Sequence, residues 1–382
     1  MTRYRVFLIL LLLVWPAGCG EPHGRGAAPL RQRPDRDGDR CRGELILVRG
    51  SAADRPSRTV SPAAIEAARQ FTVAIRGRRS AYLPGADDGH VLASESAQAA
   101  PVHLCIEGSG VVIDRAGLIL TNHHVVRDAS ELEVWVRGGG WLPARLVGAD
   151  AYGDLAVISV DAQLCCAARL ADADALRISQ AVAALGHAPG DDVGAGPDAL
   201  RGSLEGLHRS LQSALDPMHN RYYGDLLEAT VPLEPGHSGG ALIDRRGAVV
   251  GISTAAVTNR RTGRRTGYAI PMSAYVRSVI DRLARGRPVV HGYLGVLVCA
   301  CSGDHEGVQI ERLIPGGPAD RAGLAVGDTI VRLASTPVRD AAHFSELVRS
   351  GTIGQPMPIQ IQRDDRTVEL TCVVQQHPSC HQ

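Results

Sequence analysis

Apolar positions in this chain come in short bursts separated by turn residues, and the first burst stands apart. Val6 to Trp15 is an unbroken apolar run behind Arg3 and Arg5, too short for a bilayer span, which needs roughly 20 residues. From Gly20 to about Pro62 the pattern lapses into Arg, Asp, Gly and Pro, and residues 20–64 are expected to be a disordered linker. Order is expected from Ile65, where a short helical stretch leads into the alternating strand Phe71 to Ile75. Arg76 to Pro101 reads as a long polar loop. Gly110 to Asp114, Leu118 to Thr121, Leu132 to Val136, Ala144 to Gly148, Leu155 to Val160 and Ala181 to Gly186 then predict a meander of short strands, with turns such as Asp114-Arg115-Ala116-Gly117 between them. Ala248 to Thr254 and Tyr268 to Ile270 add strands, and Ser273 to Ala284 has apolar residues at helical spacing, closed by Gly286 and Pro288.

From His291 the pattern restarts: strands Tyr293 to Val298, Gly307 to Ile310, Thr329 to Leu333, Met357 to Arg363 and Thr367 to Val374, with a helix over Ala341 to Val348. With 382 residues, two folded domains are expected, here 65–287 and 290–375, followed by a tail at 376–382. The composition supports a mainly β protein: 43 Gly, 22 Pro and 4% aromatic residues suit tight turns better than a helical bundle, and no strand-helix alternation suggests a parallel sheet. A formal net charge of +1 with interspersed signs gives no basic face, so nucleic acid is not an expected partner.

Residues 1–19 have the layout of an export signal, with Pro16-Ala17-Gly18-Cys19 at the cleavage site. Small residues before Cys19 are also the pattern of a bacterial lipoprotein signal, although Pro16 stands where such signals usually carry Leu, so lipidation at Cys19 with membrane attachment and ordinary cleavage both stay open. Without Cys19 eight cysteines remain, an even number that permits disulfides in an oxidising compartment without assigning them. Cys299, Cys301, Cys372 and Cys380 are candidates for bridges in the last domain. A zinc site from Cys299, Cys301 and His305 matches none of the common spacings, and no metal or other cofactor is expected.

Three segments carry candidate chemistry. Gly236-His237-Ser238-Gly239-Gly240 follows a turn at Glu234-Pro235 and precedes an apolar strand. Flanking glycines let a serine hydroxyl stand exposed while the amides of Gly236 and Ser238 face a developing oxyanion. Thr121-Asn122-His123-His124-Val125-Val126 offers an imidazole to take the serine proton, and its two adjacent histidines compete for that role. Asp154, immediately before the apolar strand from Leu155, suits a carboxylate held against an imidazole N–H.

Together these segments resemble the HtrA family of PDZ serine proteases, whose TNxHVV-like, DLAV-like and GNSGG-like motifs are matched here, in order, by TNHHVV, DLAV and GHSGG. The resemblance implies a chymotrypsin-like double β-barrel followed by one PDZ domain, with His124 as base, Asp154 as orienting acid, Ser238 as nucleophile, and Gly236 and Ser238 as oxyanion donors. It also implies that Leu233 lines the primary pocket, where no Asp or Glu sits to bind a cationic side chain, so cleavage after Val, Ala or Ile is expected. Tyr293-Leu294-Gly295-Val296 resembles the PDZ loop that captures peptide C-termini, and Pro318 to Leu324 with Gly327 to Ile330 is PDZ-like as well. Implied partners are protein and peptide substrates, C-terminal peptides at the PDZ groove, and two further copies of the chain in a homotrimer. Two departures stand out. His237 replaces the usual Asn, and Gly186 to Arg221 lacks a clean match. The function expected is an extracytoplasmic endopeptidase; the alternatives are a PDZ chaperone or adaptor with a weakened protease domain, and a processing protease dedicated to one partner.

Overall fold

The computed structural model describes residues 59–81, 102–190, 192–209, 211, 224–259, 261–300, 307–364 and 366–378. The export signal with Cys19, most of the linker, and Cys301 and His305 of the zinc alternative lie outside the described residues.

Chain order begins with helix α1 (Pro62–Arg69). Ser61 caps it by accepting from the Ala64 amide at 3.1 Å, Pro62 opens its first turn, and Ile65 and Ala68 are buried. Order therefore starts at least three residues before the expected linker end, because this cap and the buried Val60 belong to the folded unit. Strands β1 (Thr72–Ala81), β2 (Val102–Asp114) and β3 (Leu118–Thr121), helix α2 (His123–Val126), and strands β4 (Glu131–Val136), β5 (Gly140–Asp150) and β6 (Leu155–Val160) follow. They close a barrel in the order β1-β2-β3-β6-β5-β4. The expected loop from Arg76 is thus strand as far as Ala81. Its polar residues are satisfied across the ladder: Arg76 meets Glu133 at 2.7 Å and stacks on Trp141, and Arg78 faces Glu131 at 3.5 Å.

A second closed barrel, ordered β10-β11-β12-β9-β8-β7, contains β7 (Ala181–Gly186), β8 (Asp198–Arg209), β9 (Leu226–Ala229), β10 (Ala241–Asp244), β11 (Val249–Thr258) and β12 (Arg265–Pro271). β8 occupies the stretch that had no clean motif match. Its pairing with β9 slips between Leu204 and Gly206 and again before Arg209, and His208 takes a positive φ of 55°; such irregularities erase the period-2 signal. Every residue of β6 and β7 is buried, and each fully buried Leu, Ile or Val contributes about 1.5–3 kcal/mol. Helix α3 (Ala274–Ala284), capped by Ser273, buries Val276, Val279, Ile280 and Leu283 at helical spacing.

The C-terminal domain consists of β13 (Gly292–Tyr293), β14 (Val296–Ala300), β15 (Val308–Leu313), α4 (Pro318–Arg321), β16 (Thr329–Leu333), β17 (Thr336–Pro337), α5 (Ala341–Arg349), β18 (Pro356–Arg363), β19 (Arg366–Val373) and β20 (Gln375–Gln376). Its main sheet runs β14-β15-β16-β18-β19, with β14 at one edge. The strand expected from Tyr293 to Val298 is broken at Leu294-Gly295, where Gly295 takes φ 77°. β13 instead pairs with β20, and the His377 amide donates to His291 O at 2.8 Å, so the expected tail is docked as far as His377. Among the described residues Cys105, Cys165, Cys166, Cys299 and Cys372 are free thiols, and no disulfide joins them.

Candidate active site

The site forms where loops of the two barrels meet. His124 sits in α2, directly after β3, where Asn122 takes extended backbone and opens the turn. Asp154 ends the turn between β5 and β6 with φ 54°, a left-handed conformation that Asp tolerates better than most residues. Both ends of Asp154 are tied to the histidine segment. Its carbonyl accepts from the His123 amide at 3.2 Å and from Asn122 Nδ2 at 3.0 Å. Its carboxylate, fully buried, accepts from the His124 amide at 3.0 Å and from His124 Nδ1 at 2.8 Å through Oδ2. A carboxylate is acceptor-only, so Nδ1 carries the proton and Nε2 keeps its lone pair in the neutral ring.

A further donor to the carboxylate is Thr254, whose Oγ1 donates to Asp154 Oδ2 at 3.0 Å. The carbonyl of the same residue accepts from Ser238 Oγ at 3.3 Å. Thr254 thus spans the carboxylate and the nucleophile candidate from β11 of the second barrel, and sequence reading missed it. The available signal is Ser253-Thr254, a polar pair in an apolar strand.

Ser238 lies in the second of two consecutive tight turns that share His237. The His237 amide donates to Glu234 O at 3.2 Å with Gly236 at φ 86°, and the Gly240 amide donates to His237 O at 3.0 Å with Gly239 at φ 84°; positive φ at the third turn position is the signature of type II. A Cβ on Gly239 would lie 2.1 Å from Ser109 O, so the first barrel closes against that glycine. Ser109, also unmarked in the sequence reading, is the clamp. Its Oγ donates to Gly236 O at 2.7 Å and accepts from the His187 amide at 2.9 Å, its amide donates to Ser238 O at 2.8 Å, and its carbonyl accepts from Thr121 Oγ1 at 2.7 Å. Among the described residues neither the Gly236 nor the Ser238 amide donates to a backbone acceptor. His237, at the family's Asn position, is fully buried, and a Cβ on Gly186 would meet it at 2.7 Å.

A trypsin-like peptidase domain model matches residues 108–252, which contain all three motif segments, and a PDZ domain model matches 309–363. The serine protease HhoA of Synechocystis sp. is 31% identical over 69% of this chain and 69% of its own length. The chain belongs to the HtrA family of trypsin-like serine proteases with a PDZ domain. A DegP-like periplasmic serine endoprotease of Ectopseudomonas mendocina is 31% identical over 70% of the chain, which spans about half (56%) of that relative. Among solved structures, the HtrA-type protease AlgW with a tripeptide is similar at a TM-score of 0.64 and 26% identity, covering 82% of this chain and 96% of that one.

The remaining predicted positions make none of the triad hydrogen bonds described above. Leu233, 5% exposed, packs in the apolar cluster of the second barrel, where a Cβ on Gly267 would press on its side chain at 2.8 Å. Tyr293, Leu294, Gly295 and Val296 lead into edge strand β14; the Leu294 carbonyl accepts from the Ala319 amide and the Gly295 carbonyl from the Ile314 amide, both at 2.9 Å. These bonds occupy the loop's carbonyls and fix its path. Among the described residues no cluster of three or more His, Cys, Asp or Glu is arranged to hold a metal.

Proposed function

We propose that the chain is a serine endopeptidase whose acyl transfer runs through Ser238, with His124 as base and then acid and Asp154 as the carboxylate that orients it. The observation that carries this reading is the buried Asp154 carboxylate at 2.8 Å from His124 Nδ1, which leaves Nε2 as the proton acceptor. In this reading the Ser238 hydroxyl exchanges its 3.3 Å contact with Thr254 O for one with Nε2. Nε2 takes the hydroxyl proton as Oγ attacks the scissile carbonyl carbon, and the carbonyl electron pair moves onto oxygen. The Gly236 and Ser238 amides stabilise that oxyanion. Collapse breaks the C–N bond, His124 protonates the leaving amine, and water repeats the sequence on the acyl ester.

Substrates in this reading are unfolded or exposed segments of extracytoplasmic proteins, cut after Val, Ala or Ile because apolar Leu233 lines the primary pocket. The PDZ loop from Tyr293 to Val296 takes peptide C-termini as an added strand along β14. Export to the periplasm follows the 1–19 signal and the names of the relatives, and assembly is as a homotrimer. The test is digestion of a reduced, unfolded protein with mature enzyme, mapping the new termini by mass spectrometry. Cuts after small aliphatic residues that vanish in Ser238→Ala are expected. No cutting, with or without peptides ending in apolar residues, contradicts the protease reading and favours the adaptor.

A further inference from the structure

The triad acid stands at the end of a five-residue turn, Asp150-Ala151-Tyr152-Gly153-Asp154, and the far end of that turn is held from outside both barrels. His291 lies in the connection between α3 and the PDZ domain, is 0% exposed, and donates from Nε2 to Asp150 Oδ1 at 2.9 Å. The same Oδ1 accepts from the Gly153 amide at 3.0 Å, one residue before Asp154. A Cβ on Gly153 would fall 2.3 Å from Asp150 Oδ2, so the carboxylate folds back under the turn only because that position is glycine. Asp150 is 5% exposed. Burial works strongly against its charge, yet the hydrogen bond and charge of His291, with the Gly153 amide and Arg349, together hold its pKa below the ordinary carboxylate value.

The imidazole is itself fixed on every side. Its Nδ1 meets the Tyr275 hydroxyl on α3 at 2.5 Å, Tyr152 packs against it at a centroid distance of 4.9 Å, and its carbonyl accepts from the His377 amide. Tyr152, inside the turn, stacks on His377 at 4.2 Å, and His377 meets Tyr293 edge-on at 5.1 Å. On α5, Glu346 accepts from the Tyr275 amide at 3.2 Å, and the Arg349 guanidinium lies over the rings of Tyr275 and Tyr152. The turn that presents the triad acid is therefore gripped at Asp150 and Tyr152 by His291, Arg349 of α5 and His377, and Tyr275 of α3 and Tyr293 of β13 brace those groups in turn.

We propose that His291 is a positioning residue for proteolysis: by holding Asp150 it sets the turn that aims Asp154 at His124 Nδ1. The inference rests on the protease reading above. A polar donor buried without exposure and delivered from 137 residues beyond Asp154 has no packing role that an apolar ring would not fill. Its ligand is the residue whose carboxylate closes the Asp154 turn. Loss of the donor leaves Asp150 buried without its strongest partner, so the carboxylate swings out and the Gly153–Asp154 backbone relaxes.

The test compares wild type, His291→Phe, His291→Gln and Asp150→Asn as full mature chains. Readouts are peptide-substrate kcat and KM, the rate of Ser238 labelling by a fluorophosphonate, and binding of a fluorescent apolar C-terminal peptide. His291→Phe is expected to lower kcat and the labelling rate together by roughly tenfold or more, as loss of a hydrogen bond to a charged group does, with KM and peptide binding unchanged. His291→Gln, whose amide nitrogen reaches the Nε2 position, should restore most of kcat. Asp150→Asn should match His291→Phe, and the double variant should be no slower than either. Wild-type labelling with unchanged kcat in the folded variants overturns the positioning role alone. Failure of His291→Gln to restore kcat, or additive losses in the double variant, overturns it too. Absence of labelling in wild type contradicts the protease reading instead, and should His291→Phe fail to fold, the Gln and Asn variants decide.

Discussion

Ser238 and Asp154 both sit on tight turns, yet the two turns are held in different ways. The serine turn is fixed by backbone: positive φ at Gly236 and Gly239, hydrogen bonds three residues apart, and Ser109 pressing on it from the first barrel. The aspartate turn has a non-glycine residue at φ 54° and depends on side chains, Thr254 from the second barrel and His291 from beyond it. A turn built on glycine tolerates changes around it and fails when a Cβ is added. A turn built on distant donors fails when a remote partner is lost, even with its own residues, Gly153 among them, left intact.

The sharpest break of that contrast is a methyl group in the serine turn. Gly239→Ala puts a Cβ 2.1 Å from Ser109 O at a backbone angle L-residues avoid, and displaces the Ser238 amide beside it. A fall in kcat of about 10²–10³ is expected, the loss seen when one oxyanion donor is removed, measured with a peptide substrate at unchanged folding by circular dichroism. On the aspartate side, Thr254→Val keeps shape and removes one of the donors described above to the Asp154 carboxylate, leaving the His124 amide and Nδ1. The expected loss is about tenfold in kcat with KM unchanged, consistent with a single hydrogen bond to a charged group; a loss as large as that of Gly239→Ala would erase the distinction between the turns.

The smallest effect concerns pH. Burial and the nearby positive charges of His291 and Arg349 push His377 down from 6.5 to about 4. Between those values the unfolded chain binds a proton that the folded chain refuses, so stability falls as pH drops through that window. His377→Phe, which keeps a ring against Tyr152, should flatten the dependence of Tm on pH between about 6.5 and 4, read by thermal scans at stepped pH. An unchanged slope would remove His377 from the cluster that braces the aspartate turn.

The two turns also differ in how readable they were. GHSGG declares its geometry locally, because glycine spacing around a serine is itself the physical cause of the turn. The DLAV segment marked Asp154, yet Thr254 shows only as half of a polar pair in an apolar strand and His291 carries no local sign: their roles arise 100 and 137 residues away through barrel closure and domain docking. The strand at Asp198–Arg209 escaped notice because its bulges break alternation, and the extension of the first strand to Ala81 looked like loop because Arg76 and Arg78 find their partners, Glu133 and Glu131, across the sheet rather than nearby in sequence. Periodic apolar strands such as Leu155–Val160 were plain, since burial on every side leaves no other arrangement for them.

The central claim, a working nucleophile and base built from Ser238 and His124 on Asp154, is tested most directly by fluorophosphonate labelling of the mature protein with adduct mapping by mass spectrometry. One adduct per chain on Ser238, absent in Ser238→Ala and lost in His124→Ala, is the predicted result. No adduct on the wild-type chain, or an equal adduct in His124→Ala, would contradict it.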